Sequence, residues 1–199
     1  GSSTNVMVNF FLAKAGLKPS DVSIIGVGAT QGAVAALRAG QIDAISNLDP
    51  VVTLLLRSGD LKIVSDTRIV AEAERVFGGP MPAACLYAPQ SFIDKHPQTT
   101  QALANAMVRA NKWIQAAGPS DIITNVPESY LLGDRAIYEK SFAGVRETIS
   151  PDGLMPAGAQ ENCLKFLVEA DPKLAADKDK IKLADTWTNE FAERAKKRA

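Results

Sequence analysis

Three short runs in this chain carry residue types that grip an anion without a metal or cofactor: Ser2-Ser3-Thr4, Ala29-Thr30-Gln31 and Ser46-Asn47-Leu48-Asp49-Pro50. Each stands where a helix is expected to begin. The first amides of a helix lack intrahelical partners and lie at the positive end of its dipole, so neighbouring hydroxyl and amide groups can complete a site for negative charge. Capping is the alternative at all three, because Ser, Thr and Asp satisfy those amides by themselves. The first run is the most anion-like, since small polar residues let a ligand come close to the backbone.

Residues for covalent chemistry are sparse. No nucleophile elbow, Walker loop, dinucleotide fingerprint or zinc-protease motif is present. The glycines of "GVGATQG" follow an apolar run, but Gly26 falls inside it and the spacing does not fit a dinucleotide turn. His96, the single histidine, precedes Pro97 at a helix start, where capping is preferred to catalysis. A zinc site would have to be built from carboxylates, so neither a metal nor a catalytic group is expected. Cys85 and Cys163 lie far apart in no ligand spacing, and two buried thiols are preferred to one long-range disulfide. Arg68 is the cation nearest the expected cleft, open to a ligand anion or to a surface carboxylate. Trp113 and Trp187 read as core residues on apolar helix faces.

The elements that position these runs alternate at short intervals. A helix from about Asn5, capped by Ser3 or Thr4, carries Val6, Phe10, Ala13 and Leu17 at helical spacing, with Gly16 at its end and Pro19 beyond. Val22–Gly28 ("VSIIGVG"), Ile42–Asn47, Leu61–Thr67 and Ala83–Pro89 read as short strands. Between them, "ATQGAVAALRAG" is a helix with Ala33, Ala36 and Leu37 inward and Gly40 closing it. Another begins at Pro50, capped by Asp49, and ends by Gly59. Strands and helices at this pitch imply parallel pairing through right-handed crossovers, hence an α/β fold. A first helix with no strand before it breaks the rhythm and argues for a truncated chain.

Beyond the Gly- and Pro-rich "FGGPMP" the pattern becomes helical. A long helix starts at His96-Pro97 and bears Leu103, Met107, Ala110 and Ile114. Shorter ones follow around "IITNVP" and "YLLGDRAIYEKSFAGV". "GAQENCLKFLVEA" places Cys163, Phe166 and Leu167 inward, and "LADTWTNEFAERAKKRA" forms a terminal helix with Trp187 and Phe191 on its buried side.

Composition narrows the class further. Apolar residues make up 46% of the 199, and 22 basic residues balance 22 acidic ones. That is a globular chain with no electrostatic footprint for nucleic acid. No apolar run approaches the roughly 20 residues that span a bilayer.

The runs "GSSTN" with "LAKAGL", then "ALRAGQIDAISNLDP", "YAPQSFIDKHPQTTQALANAMVRANKWI" and "LADTWTNEF" together resemble the solute-binding proteins of nitrate, sulfonate and taurine ABC importers. This is the NMT1/THI5-like group, whose relatives also bind pyrimidine precursors of thiamine. The resemblance implies a type II periplasmic-binding fold, in which two α/β lobes close on a ligand and present it to a membrane permease. It implies lobe two over residues 1–68 without its first strand, a crossover over 69–82, and the returning part of lobe one over 83–199. Ser2, Ser3 and Thr4 match the polar helix start that meets an acidic head group. Thr30 and Gln31 match a second contact, while Ser46, Asn47 and Asp49 match the stretch lining the cleft. Asp49 is open to holding a ligand amine or to capping.

The implied ligand is a small organic or inorganic anion: a sulfonate, nitrate, a taurine-like zwitterion or an aromatic carboxylate. The implied location is the periplasm, or an extracytoplasmic lipid anchor, with no cofactor. The resemblance also favours Gly1-Ser2-Ser3 as native over a cloning scar. An unpaired sheet edge would offer a second copy a place to dimerise. Two other functions share the implied fold. A thiamine-precursor enzyme would rely on pyridoxal with histidine- and cysteine-rich segments, which are lacking here. A ligand-sensing domain would regulate a partner protein instead of feeding a permease.

Overall fold

A computed structural model describes residues 2–131 and 133–197; Gly1, the origin of which was raised above, lies outside them. In chain order the helices are α1 (Ser3–Lys14), α2 (Gln31–Arg38), α3 (Val51–Arg57), α4 (Val70–Phe77), α5 (Gln90–Lys95), α6 (Pro97–Ala116), α7 (Pro119–Asn125), α8 (Arg135–Val145), α9 (Ala159–Ala170), α10 (Pro172–Asp177) and α11 (Glu190–Lys196). Short 3-10 turns punctuate the connections.

The expected α/β class, and with it the type II periplasmic-binding architecture, is overturned. The fold is all-helical, and no strand forms among the described residues. The four segments read as strands run as non-helical connections. Their β-branched and aromatic residues favour extended backbone, but a strand exists only where a neighbour supplies a ladder and covers its faces. Here Val22, Ile24 and Ile25 are exposed, Val64 fully so, and Leu86 and Tyr87 face solvent. Sequence pattern records the local preference and not the pairing.

The helices form where periodicity and punctuation direct. Gly16, Gly40 and Gly59 follow α1, α2 and α3 in the left-handed region that a Cβ disfavours. Pro97 opens α6, where its missing N–H costs no helical bond.

The chain divides into two compact units. The first comprises Gly1–Asp66, Pro119–Gly144 and Lys165–Lys180. Its core joins Ala33 and Val34 of α2 to Val51 and Leu55 of α3, with Val27, Leu37, Ile45, Leu54 and Leu61 packed around them. Phe10 of α1 is buried against Phe166, ring centroids 5.0 Å apart. Lys14 lies over the Phe10 ring and pairs with Glu169 at 2.8 Å.

The second unit comprises Thr67–Gly118, Val145–Leu164 and Ile181–Ala199. Here α6 buries Thr100, Ala104 and Val108, and both α5 and α11 pack on it. Side chains then tie distant backbone together. Asn189 exchanges two hydrogen bonds with the Met155 backbone, at 2.8 and 3.1 Å. Asn162 donates to the Gly79 and Pro80 carbonyls, and the Glu147 carboxylate accepts from the Val70 amide at the start of α4.

Several smaller expectations change. The terminal helix begins only at Glu190, after a 3-10 turn over Leu183–Asp185. Trp113 is 44% exposed, so it is not a core residue, while Trp187 is half-buried. Both cysteines are free thiols, with Cys85 exposed and Cys163 half-buried. His96 forms no side-chain cap on α6; its ring packs on Phe92 at 5.0 Å.

Candidate functional site

The first unit contains all eight candidate residues. Ser2 is the N-cap of α1, in extended conformation, and its Oγ accepts the Asn5 amide at 3.3 Å. The same oxygen lies 2.9 Å from the Thr4 hydroxyl, linking two hydroxyls along one turn. Ser3 is exposed between them. No acidic residue occupies the first turn of α1, so its positive end is not neutralised from within.

The second run caps α2. Thr30 is its N-cap without a side-chain cap bond, and its carbonyl accepts the Ala33 amide at 3.0 Å. Gln31 opens the helix, and both residues are exposed. The first turn of α2 likewise lacks an acid.

Ser46 and Asn47 bring these two starts together. The Ser46 hydroxyl donates to the Thr4 carbonyl at 3.2 Å, 42 residues away in sequence. The Asn47 amide donates to the Gly28 carbonyl at 2.8 Å, and its oxygen accepts the Leu48 amide at 2.8 Å. Gly28 lies in the left-handed region two residues before Thr30. Two adjacent side chains thus tie the segment 46–48 to the first turn of α1 and to the turn entering α2. The Ser46 bond is part-buried, which makes it firmer than a surface contact, whereas the two Asn47 bonds are exposed to solvent.

Asp49 belongs to a different task. Its Oδ1 accepts the Thr53 amide at 2.9 Å, and Thr53 is buried within α3. The N-cap of α3 is Pro50 and not the expected Asp49, which stands one residue earlier and reaches the first turn through its side chain.

Gly28 was not among the candidates, although it accepts the Asn47 bond. A glycine closing an apolar run, three residues before a helical pattern, was the available signal. Arg68, expected near the cleft, falls in the second unit and is half-buried. Among the described residues no group of three or more His, Cys, Asp or Glu side chains could hold a metal ion.

Chemically the assembly contains hydroxyl groups, an amide side chain and two helix starts, with the Ser46 hydroxyl and the Asn47 amide each donating to a backbone carbonyl and no activated nucleophile among these groups.

Comparison with known proteins gives the class. Residues 1–126 match the model of the NMT1-like family, and the chain belongs to that family. The chain is also similar to a solved structure of a protein from Bordetella bronchiseptica RB50, at 56% identity and a TM-score of 0.95. That match covers 100% of this chain and 62% of the other. No curated protein matches. Among the described residues no helix is long and apolar enough to cross a membrane.

Proposed function

We propose that this chain is the substrate-binding component of an ABC importer, which captures a small anion outside the cytoplasm and delivers it to a membrane permease. Membership of the NMT1-like family is compatible with that role. The observation that carries the reading is the pair of side-chain bonds from Ser46 and Asn47, which gather the starts of α1 and α2 into one polar assembly. Binding and release need no covalent step, and none is assigned to this chain.

The hydroxyls and helix starts of the first unit support a small anion as the ligand. Hydroxyls and helix-start amides match the tetrahedral oxygens of a sulfonate or the planar oxygens of nitrate or a carboxylate. Asp49 holds the Thr53 amide through Oδ1, and its second carboxylate oxygen is the group in this unit's candidate set that a zwitterion's amine would meet. The periplasm, or a lipid anchor outside the cytoplasm, is the location that fits this role.

Isothermal titration against nitrate, taurine, an alkyl sulfonate and benzoate tests the proposal, with Ser46→Ala alongside. Saturable binding to one of these that weakens roughly tenfold in Ser46→Ala supports it. Absence of binding to all four, or binding untouched by the substitution, contradicts it.

A further inference from the structure

The chain has two cysteines, far apart in sequence and both in the second unit. Cys163 sits in α9 and is half-buried, whereas Cys85 is exposed. A free cysteine that serves only packing is normally buried, so packing does not account for Cys85. The fold brings the two segments together. Asn162, next to Cys163 in α9, donates to the Gly79 and Pro80 carbonyls, both at 3.1 Å. A Cβ on Gly79 would stand 3.5 Å from Asn162 Cγ, so the backbone there is seated on α9. From that anchor residues 80–89 run to α5 without joining a helix or a strand, and they carry Cys85. The two sulfurs are near enough to act on each other electrostatically.

We propose that Cys85 and Cys163 are a redox-sensitive pair, which an external disulfide oxidises to an intramolecular disulfide that clasps the connection 80–89 to α9. A disulfide holds its two Cα atoms about 6 Å apart. Residues 80–88 belong to neither a helix nor a ladder, so they can meet that requirement without breaking one. The step is thiol–disulfide exchange with a low-molecular-weight disulfide such as oxidised glutathione. Exposed Cys85 loses its proton, and its thiolate attacks one sulfur of the oxidant. The S–S bond of the oxidant breaks, and its other half takes up the proton and leaves as a thiol. Cys163 then loses its proton and attacks the Cys85 sulfur of the mixed disulfide, releasing the second thiol. Two protein thiols are oxidised, and one small disulfide is reduced to two thiols. The oxidant comes from solution, so the step is independent of the importer role proposed above.

The test incubates the full chain, without denaturant, in glutathione buffers of increasing oxidised fraction. Its intact mass should fall by two hydrogens, with one proteolytic peptide pair joining Cys85 to Cys163 that reduction releases. Amide exchange across residues 83–88 should slow about tenfold or more on oxidation, and the melting midpoint should rise. Cys85→Ser, at an exposed position, should melt like the reduced chain and lose the response to oxidant in all three readouts. Cys163→Ala should stop at the mixed disulfide, with a single glutathione on Cys85. Glutathione on both cysteines with no linked peptide overturns the proposal, as does a disulfide between two copies through Cys85. So does a linked peptide whose formation leaves exchange across 83–88 unchanged.

Discussion

At the scale of single residues, the assembly depends on side chains that bond far along the chain. Ser46 is the clearest case, since its hydroxyl reaches the Thr4 carbonyl. Ser46→Ala removes one part-buried hydrogen bond, and a loss of about 1 kcal/mol in chemical denaturation is expected. Gly153 makes a stronger prediction. Its φ is +74°, and an added Cβ would stand 3.0 Å from Val108 Cγ2. Gly153→Ala should cost about 1–3 kcal/mol, seen as a lower denaturation midpoint, and an unchanged midpoint would show that the turn is not constrained as described. The cysteines differ in reactivity for a physical reason. Burial pushes the Cys163 thiol up, and the nearby Cys85 adds to that, whereas Cys85 is exposed. Maleimide labelling followed by peptide mass analysis should therefore find Cys85 modified first. Preferential labelling of Cys163 would contradict the burial assigned to it.

At the scale of elements, what was legible in the sequence was whatever local chemistry decides. The Gly16, Gly40 and Gly59 stops and the Pro97 start follow from backbone sterics, and they stand where the residues place them. So do the inward positions Phe10, Ala33 and Ala36. The terminal helix was misjudged because its first half has other bonds to make. Thr186 donates back to the Leu183 carbonyl, Thr188 accepts the Glu190 amide, and Asn189 is committed to Met155. Such local side-chain bonds compete with helix propagation, and hydrophobic spacing does not register them. The strands failed for the opposite reason, because pairing is a long-range property. Trp113 shows the same limit, since an apolar face marks what could be buried and leaves open whether anything covers it.

One contact between elements sets a pH dependence. Lys196 of α11 donates to Asp152 at 2.8 Å and holds its carboxyl below the usual value of 3.8, helped by the Leu154 amide and Ser150 and opposed by burial. A lowered folded pKa contributes stability above the unfolded value, and that contribution is lost as pH falls through the folded one. The chain should lose stability faster than Asp152→Asn as pH drops below 3.8. Parallel curves in an acid titration of the two melting points would remove Asp152 from the account.

At the scale of the whole molecule, the interleaved segments of the two units explain why organisation is hard to read along the chain. The first unit returns twice, at Pro119–Gly144 and Lys165–Lys180. Of the candidate runs, the sequence makes legible that they stand at or near helix starts. Helix-start chemistry is local and survives the loss of the expected sheet, and side-chain bonds gather the three runs. The links themselves, from Ser46 to Thr4 and from Asn47 to Gly28, span 42 and 19 residues and leave no trace in spacing. The central claim is that negative charge is held where α1 and α2 begin. Its most direct test is an amide-resolved NMR titration of the full chain with the anion that binds in calorimetry. The account predicts that the largest saturable shifts fall on residues 3–5, 30–32 and 46–48 together; shifts centred elsewhere, or on only one of these segments, would contradict it.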